Sequence, residues 1–341
     1  MWDFNMGKAL GAMIRTAPFV IFRVIVYIGI FIAYVLAVGV GGAIGYGIGS
    51  IGDEPGGWAF YGGLFGFGIV SAVLYWAREY LLYLVKAGHI AVLVEHYDGN
   101  KLPAGRGQIE HAHAVVKERF VETSVLFGVD RLIKGILRMM NRMIMRVATF
   151  LPIPGLREIA GFVNKILTVS LTYTDEIILA YNIRTRSDNP WESSKDAIIL
   201  YAQNYKMIAK NAVFLLLFMY VISFVIFLVF LGPAALLANL FPGTGTGVGV
   251  ILAIIFALTL KAALLEPLSI AALMQVYFKA IEGQVPNPEW DQRLSTASKK
   301  FREMKDKAAA YVAPQKPAET PAIETPAAEA PDAPAPDAPA V

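Results

Sequence analysis

DRLIKGILRMMNRMIMRV, residues 130–147, decides how the rest of the chain is read. Arg131, Lys134, Arg138, Arg142 and Arg146 recur at helical spacing. At about 100° per residue they share a face roughly 120° wide. Leu132, Ile133, Ile136, Leu137, Met139, Met140, Met143, Ile144 and Val147 fill most of the remaining circumference, and Met145 is the large apolar residue inside the basic arc. No acidic residue falls between Asp130 and Glu158. A helix so divided suits a boundary with oil on one side and anionic lipid head groups on the other. It equally suits a helix packed on the protein's own core with its arginines in water. A nucleic-acid or calmodulin-type target is the third reading of such a stripe, and nucleic acid is not an expected partner.

The surroundings of this stretch are those of an integral membrane protein. Of the 341 residues, 56% are hydrophobic and 17% charged, against about 45–50% and about 25% in soluble domains. Long uncharged runs make the difference. There is no cysteine. Disulfides, thiolate metal sites, cysteine nucleophiles and S-palmitoylation are thereby excluded, while any redox compartment remains open.

Four runs read as spans. The first, Pro18 to Gly49, is too long for a secretory apolar region and is expected to be an uncleaved anchor. Arg23 near its start is expected to snorkel to the head groups. Ala33, Ala37, Gly41, Gly45 and Gly49 recur every fourth residue, and Gly62 and Gly66 do so in the second run, Trp58 to Trp76. Such seams let helix backbones approach closely, so the two runs are expected to form a hairpin through Ser50–Gly57. Val213 to Leu231 and Val250 to Tyr277 form a second pair. Gly249, Ala253 and Ala257 give the last span a seam of its own. The loops 50–57 and 232–249 hold no Lys or Arg, whereas basic residues crowd the other connections. By the positive-inside rule both termini are cytoplasmic, in a plasma membrane or bacterial inner membrane.

The expected architecture is all-α: two transmembrane helical hairpins, a central cytoplasmic amphipathic-helical region, and a disordered tail. The divisions are 1–98, the first hairpin with a helical extension; 99–209, the amphipathic region; 210–283, the second hairpin; 284–312, an amphipathic helix; and 313–341, an Ala/Pro-rich acidic tail unable to bury a core. Within 99–209 a helix from Gln108 to Phe150 is expected to break near Gly128. Asn189-Pro190-Trp191-Glu192 reads as a helix start, with Asn189 as cap and Glu192 completing a capping box. Glu95 to Pro103 and Glu282 to Pro286 share an acidic-Gly-amide turn and a proline after a span. This suggests a parallel internal repeat.

Enzyme signatures are lacking: there is no HExxH, nucleophile elbow or paired aspartates at metal spacing. No metal or cofactor is expected. His89, His96, His111 and His113 fall in one short region and read as head-group-level or solvated side chains. Gly243 to Gly249 is glycine-rich, but no strand precedes it and no lysine follows, so it reads as a turn. The stronger candidates are charges at membrane depth. Lys261 lies well inside the last span, and Glu266, Glu79, Asp175 or Glu176 are its candidate partners. Pro267 is expected to free a backbone carbonyl beside Glu266, suited to a cation.

From Phe162 to about Leu231, Ser194-Lys195-Asp196-Ala197, Asn204 and the long apolar run after them resemble the carboxy-terminal half of the choline-transporter-like family. Ala271 to Glu282 is similar to that family's last span. The resemblance covers about a third of the chain and implies transport, though the family has more spans than the four read here; no substrate residue is carried over. Two functions follow. One is a transporter- or channel-like protein for a small polar or cationic solute, lined by Lys261, Glu266, Asp175 and Glu176. It is expected to self-associate, since four spans rarely enclose a path alone. The other is a non-catalytic organiser binding anionic lipid or partner proteins through Arg131, Lys134, Arg138, Arg142 and Arg146.

Overall fold

A computed structural model describes residues 2–52, 54–119, 123–149, 173–238, 253–254 and 256–312. Its described residues form helices without strands. Helix α1 (Met6–Arg15) starts at Asn5, whose side chain accepts from the Lys8 amide. It leads at Thr16 into α2 (Ala17–Gly49), with Pro18 in the first turn, where its missing N–H costs no bond. Helix α3 (Pro55–Tyr97) returns. Four stretches are long and apolar enough to cross a membrane: Ala17–Gly49, Pro55–Val73, Tyr205–Leu236 and Phe256–Ala280.

The glycine seam is the contact between α2 and α3. A Cβ added at Gly41 would overlap the Gly62 carbonyl, one at Gly62 the Gly41 carbonyl, one at Gly45 the Trp58 carbonyl, and one at Gly66 the Ala37 carbonyl. At Gly49 it would lie 2.7 Å from the Trp58 Cβ. The backbones therefore touch, and dispersion between them replaces the hydrophobic drive that lipid cannot supply. Gly29, Gly39 and Gly47 have open space beside them, so the spacing, not glycine content, marks the seam.

At the end of the hairpin opposite residues 50–54 lies the helical body. Here α1 and the second half of α3 pack with α5 (Thr123–Thr149), reached through α4 (Arg106–Arg119), and with α6 (Thr174–Thr185) and α7 (Pro190–Gln203). The start of α8 (Tyr205–Ala238), then α9 (Glu266–Ala280), α10 (Pro288–Ala297) and α11 (Lys299–Ala310) complete one core. That core crosses the expected divisions at 98, 209 and 283. The described residues up to Tyr311 belong to one unit. The expected tail, 313–341, lies outside the described residues, as do 150–172 and the glycine-rich 243–249.

Helix α5 runs through Gly128 without a break. A Cβ at Gly128 would stand 3.1 Å from the Trp191 ring, so the glycine admits that ring instead of ending the helix. Val129, Leu132, Ile133, Ile136, Leu137 and Met140 are buried in the body's core. Arg131, Lys134, Arg138 and Arg142 are exposed. Protein, not lipid, covers the apolar face along this part of α5.

Asn189 caps α7 as expected, its Oδ1 accepting from the Trp191 and Glu192 amides at 3.1 and 3.2 Å. The reciprocal bond of a capping box goes elsewhere: the Asn189 amide donates to Ser187 Oγ, not to Glu192. Gly99 and Gly283 both take positive φ, 79° and 70°, which only glycine adopts cheaply. The two turns thus share their chemistry. However, α4 packs back on α3, whereas α10 packs on α7 and α11.

Candidate functional site

Proline cannot donate a backbone hydrogen bond, and Pro267 sits in the first turn of α9. Residues Lys261–Leu265 before it form a π-turn. Within it the Glu266 amide reaches back five residues to the Lys261 carbonyl. In that register the carbonyl Pro267 would have satisfied is that of Ala262. It accepts from Arg23 instead, at 3.1 Å. The freed carbonyl expected from the sequence is therefore present, and the cation on it comes from α2 of the same chain. Arg23 Nη2 also lies 4.0 Å from Glu266 Oε2, and its side chain is 2% exposed. The expected snorkelling is corrected: Arg23 turns into the protein because a carbonyl and a carboxylate there replace water. Lys261 Nζ pairs with Glu266 Oε1 at 3.2 Å and lies over the Tyr220 ring.

Beyond the span a second group follows. Lys86 of α3 donates to Glu176 Oε1 at 2.9 Å. Lys134 of α5 bonds Asp130 at 2.8 Å and approaches Asp175 at 3.6 Å. Its ammonium also lies 5.7 Å from the centre of the Tyr83 ring. Arg23, Lys261, Lys86 and Lys134 thus meet Glu266, Glu176, Asp175 and Asp130. Glu266 is shared by Arg23 and Lys261, and Lys134 reaches both Asp130 and Asp175, so the pairing is not one to one. Among the sequence candidates, Lys261 joins Glu266, while Asp175 and Glu176 join Lys86 and Lys134. The side chain of Glu79 lies outside the described residues, as does that of Arg146.

Burial raises Asp175 well above the ordinary carboxylate range, and adjacent Glu176 adds to it. Burial also pushes Glu176 up, but Lys86 and a hydrogen bond from Asp175 overcome it, leaving Glu176 below its usual value. Asp175 therefore holds the proton and Glu176 the charge, as expected when two carboxylates share a site. Burial alone would depress Lys86; Glu176, then Asp175 and Glu266, reverse that and raise it. Burial raises Asp130 despite Lys134.

An acid whose pKa folding raises stabilises while protonated, and that stability is lost as pH climbs through the folded pKa. Asp175→Asn keeps the donor and cannot ionise. The thermal unfolding midpoint of the detergent-solubilised chain is expected to fall as pH rises above the ordinary carboxylate range, in the parent more than in this variant. Each pKa unit of the rise in Asp175 corresponds to about 1.4 kcal/mol. Matching pH profiles would contradict the assignment of the proton to Asp175.

His89 is also inside the protein, not solvated. Its Nε2 lies 2.9 Å from Thr16 Oγ1, which itself donates to the Ala12 carbonyl. Nε2 therefore carries the proton and donates to Thr16. The ring stacks on Phe19, 5.5 Å between centroids. Burial, then Arg23, lowers its pKa to about 3, so it stays neutral. The four histidines form no candidate metal group among the described residues.

Arg23, Lys86, Asp130 and Tyr173 are column members the sequence did not single out as partners. Burial, then Glu266 and Glu176, raise Tyr173. The signal for Arg23 was present, a lone cation within an apolar run, and needed only the partner freed by Pro267. No family model matches the chain, and neither the search of curated proteins nor that of solved structures finds a match.

Proposed function

We propose that this chain is a non-catalytic membrane organiser. Four spans hold a helical body against the cytoplasmic leaflet, where exposed basic residues of α5 engage anionic lipid. The observation that carries this reading is the division of α5. Its apolar residues Val129, Leu132, Ile133, Ile136, Leu137 and Met140 are used up in the core, while Arg131, Arg138 and Arg142 face outward without an acidic partner among the described residues. The nearby acids are occupied: Lys134 takes Asp130, and Asp175 sits beside Glu176. The surface is left with uncompensated positive charge, worth about 1 kcal/mol per residue near an anionic leaflet.

Transport of a small polar or cationic solute is the second reading, supported by the π-turn beside Lys261 and Glu266. It requires that pair and the Arg23 contact to separate. One experiment divides the two. The full chain is reconstituted in phosphatidylcholine with a minority of phosphatidylglycerol, and the lipid retained on extraction is measured. Arg131→Glu, Arg138→Glu and Arg142→Glu together are expected to abolish phosphatidylglycerol enrichment, and Glu266→Gln to leave it intact. Unchanged enrichment in the triple variant, with solute uptake into liposomes lost in Glu266→Gln, would favour transport.

A further inference from the structure

A cleft of about 470 Å³ opens where α1 passes the ends of α3, α6 and α9. Lys8 and Lys279 line it, both exposed, and neither ammonium makes a hydrogen bond or close ion pair among the described residues, although Lys279 lowers the pKa of Asp3 through its charge. The other charges lining it are engaged. Asp3 accepts from Lys210 at 2.6 Å and from Asn211 at 2.8 Å. Arg184 is held by Asp98 at 2.9 Å and lies 4.3 Å over the Phe278 ring. Asp3 is bonded by Lys210 and also feels the charge of Lys279, so one carboxylate faces three lysines and the opening keeps a net positive charge.

The wall beneath them is cross-linked by hydrogen bonds. Gln275 accepts from the Asn5 amide at 3.1 Å and donates to the Asn5 carbonyl at 3.3 Å. It also donates to Tyr97 Oη at 3.1 Å, and Tyr97 donates to the Ala271 carbonyl at 3.0 Å. Three helices are tied together there by polar side chains that need not move to admit a ligand. Only the two lysines are free to swing. Lysine binds phosphate as a mobile point charge, and two of them match the dianion of a phosphate monoester. The cleft lies beside the membrane boundary, since α1 leads directly into α2 and Trp2 stacks on Phe214 of α8.

We infer that this cleft binds a phosphate group through Lys8 and Lys279, separately from the arginine face of α5. The phosphate can belong to a lipid head group or to a soluble molecule, and the probes distinguish these. The full chain in phosphatidylcholine nanodiscs is titrated calorimetrically with inorganic pyrophosphate at physiological salt. Saturable binding is expected, weakened about tenfold or more by Lys8→Gln or Lys279→Gln, as befits loss of a charge-assisted bond. The double variant should not bind. Repeating the titration in discs containing phosphatidic acid identifies the source: suppressed pyrophosphate binding means the lipid head group occupies the cleft, and undiminished binding means a soluble phosphate. Both lysines are exposed, so the thermal unfolding midpoint should not change, which separates lost binding from lost fold. Arg131→Glu with Arg138→Glu and Arg142→Glu should leave pyrophosphate binding intact. Absence of saturable binding, or binding unchanged in the double variant, overturns the inference.

Discussion

Gly41→Leu is expected to separate α2 from α3. The Gly62 carbonyl occupies the position of the new Cβ, and the Gly66 Cα lies 3.3 Å from it. Neither is the end of a flexible side chain, so the backbones themselves must part. Overpacking a well-filled site costs about 1–3 kcal/mol, and contact against backbone on both sides puts this change at or above the upper end. Separation also forfeits the neighbouring approaches at Gly45 and Gly66, because the seam is one rigid line. The absence of cysteine allows a direct readout. A Cβ at Gly63 would stand 3.5 Å from Val38 Cγ1, so Val38→Cys with Gly63→Cys should form a disulfide on oxidation. Adding Gly41→Leu should prevent that bond, whereas Gly39→Leu, with open space beside it, should not. Equal cross-linking in both backgrounds would show that the seam does not hold the hairpin.

The seam was legible because its cause is local. A four-residue period of small side chains on an apolar helix means close approach whatever the partner, and the partner lay one turn away in sequence. The spans were legible for a similar reason, as was the cap at Asn189. The fate of α5 was not. Its sequence defines an apolar face and a basic face, but both lipid and a protein core accept the first. Trp191, Phe301 and Met304 decide for protein along 129–140, and they come from elements far along the chain. Gly128 misled because glycine marks both a helix end and a site where a ring must fit, and Trp191 lies 63 residues away. Arg23 misled because snorkelling needs no partner. Its true partner, the Ala262 carbonyl, exists only once Pro267 and the π-turn have broken the normal register. Polar groups in apolar surroundings tell that a partner exists, while the pairing is a tertiary fact.

That pairing carries the other large expected effect. Lys86→Met removes the ammonium from Glu176, whose side chain is 5% exposed and whose neighbour Asp175 is itself buried. Breaking a buried pair by removing one partner costs about 3–5 kcal/mol, chiefly through the charge left behind. The Lys86 side chain is 28% exposed, which admits some water and favours the lower end. Lys86→Met with Glu176→Gln removes the stranded charge too. It should regain most of the loss, because two neutral groups of similar shape need no desolvation of an ion. Glu176→Gln alone should cost less than Lys86→Met alone, since the freed ammonium can turn its partly exposed tip to water, whereas the carboxylate cannot. Thermal or denaturant unfolding of the four proteins in one detergent gives the coupling directly. Additive losses would mean that Lys86 and Glu176 act independently. A strong positive coupling would place the folding of the helical body, and with it the presentation of Arg131, Arg138 and Arg142, under the control of one ion pair between α3 and α6. Under the proposed function, a face offered to anionic lipid must be kept from the protein's own carboxylates, and the pairing of buried Glu176 with Lys86 and of Asp130 with Lys134 is what does so.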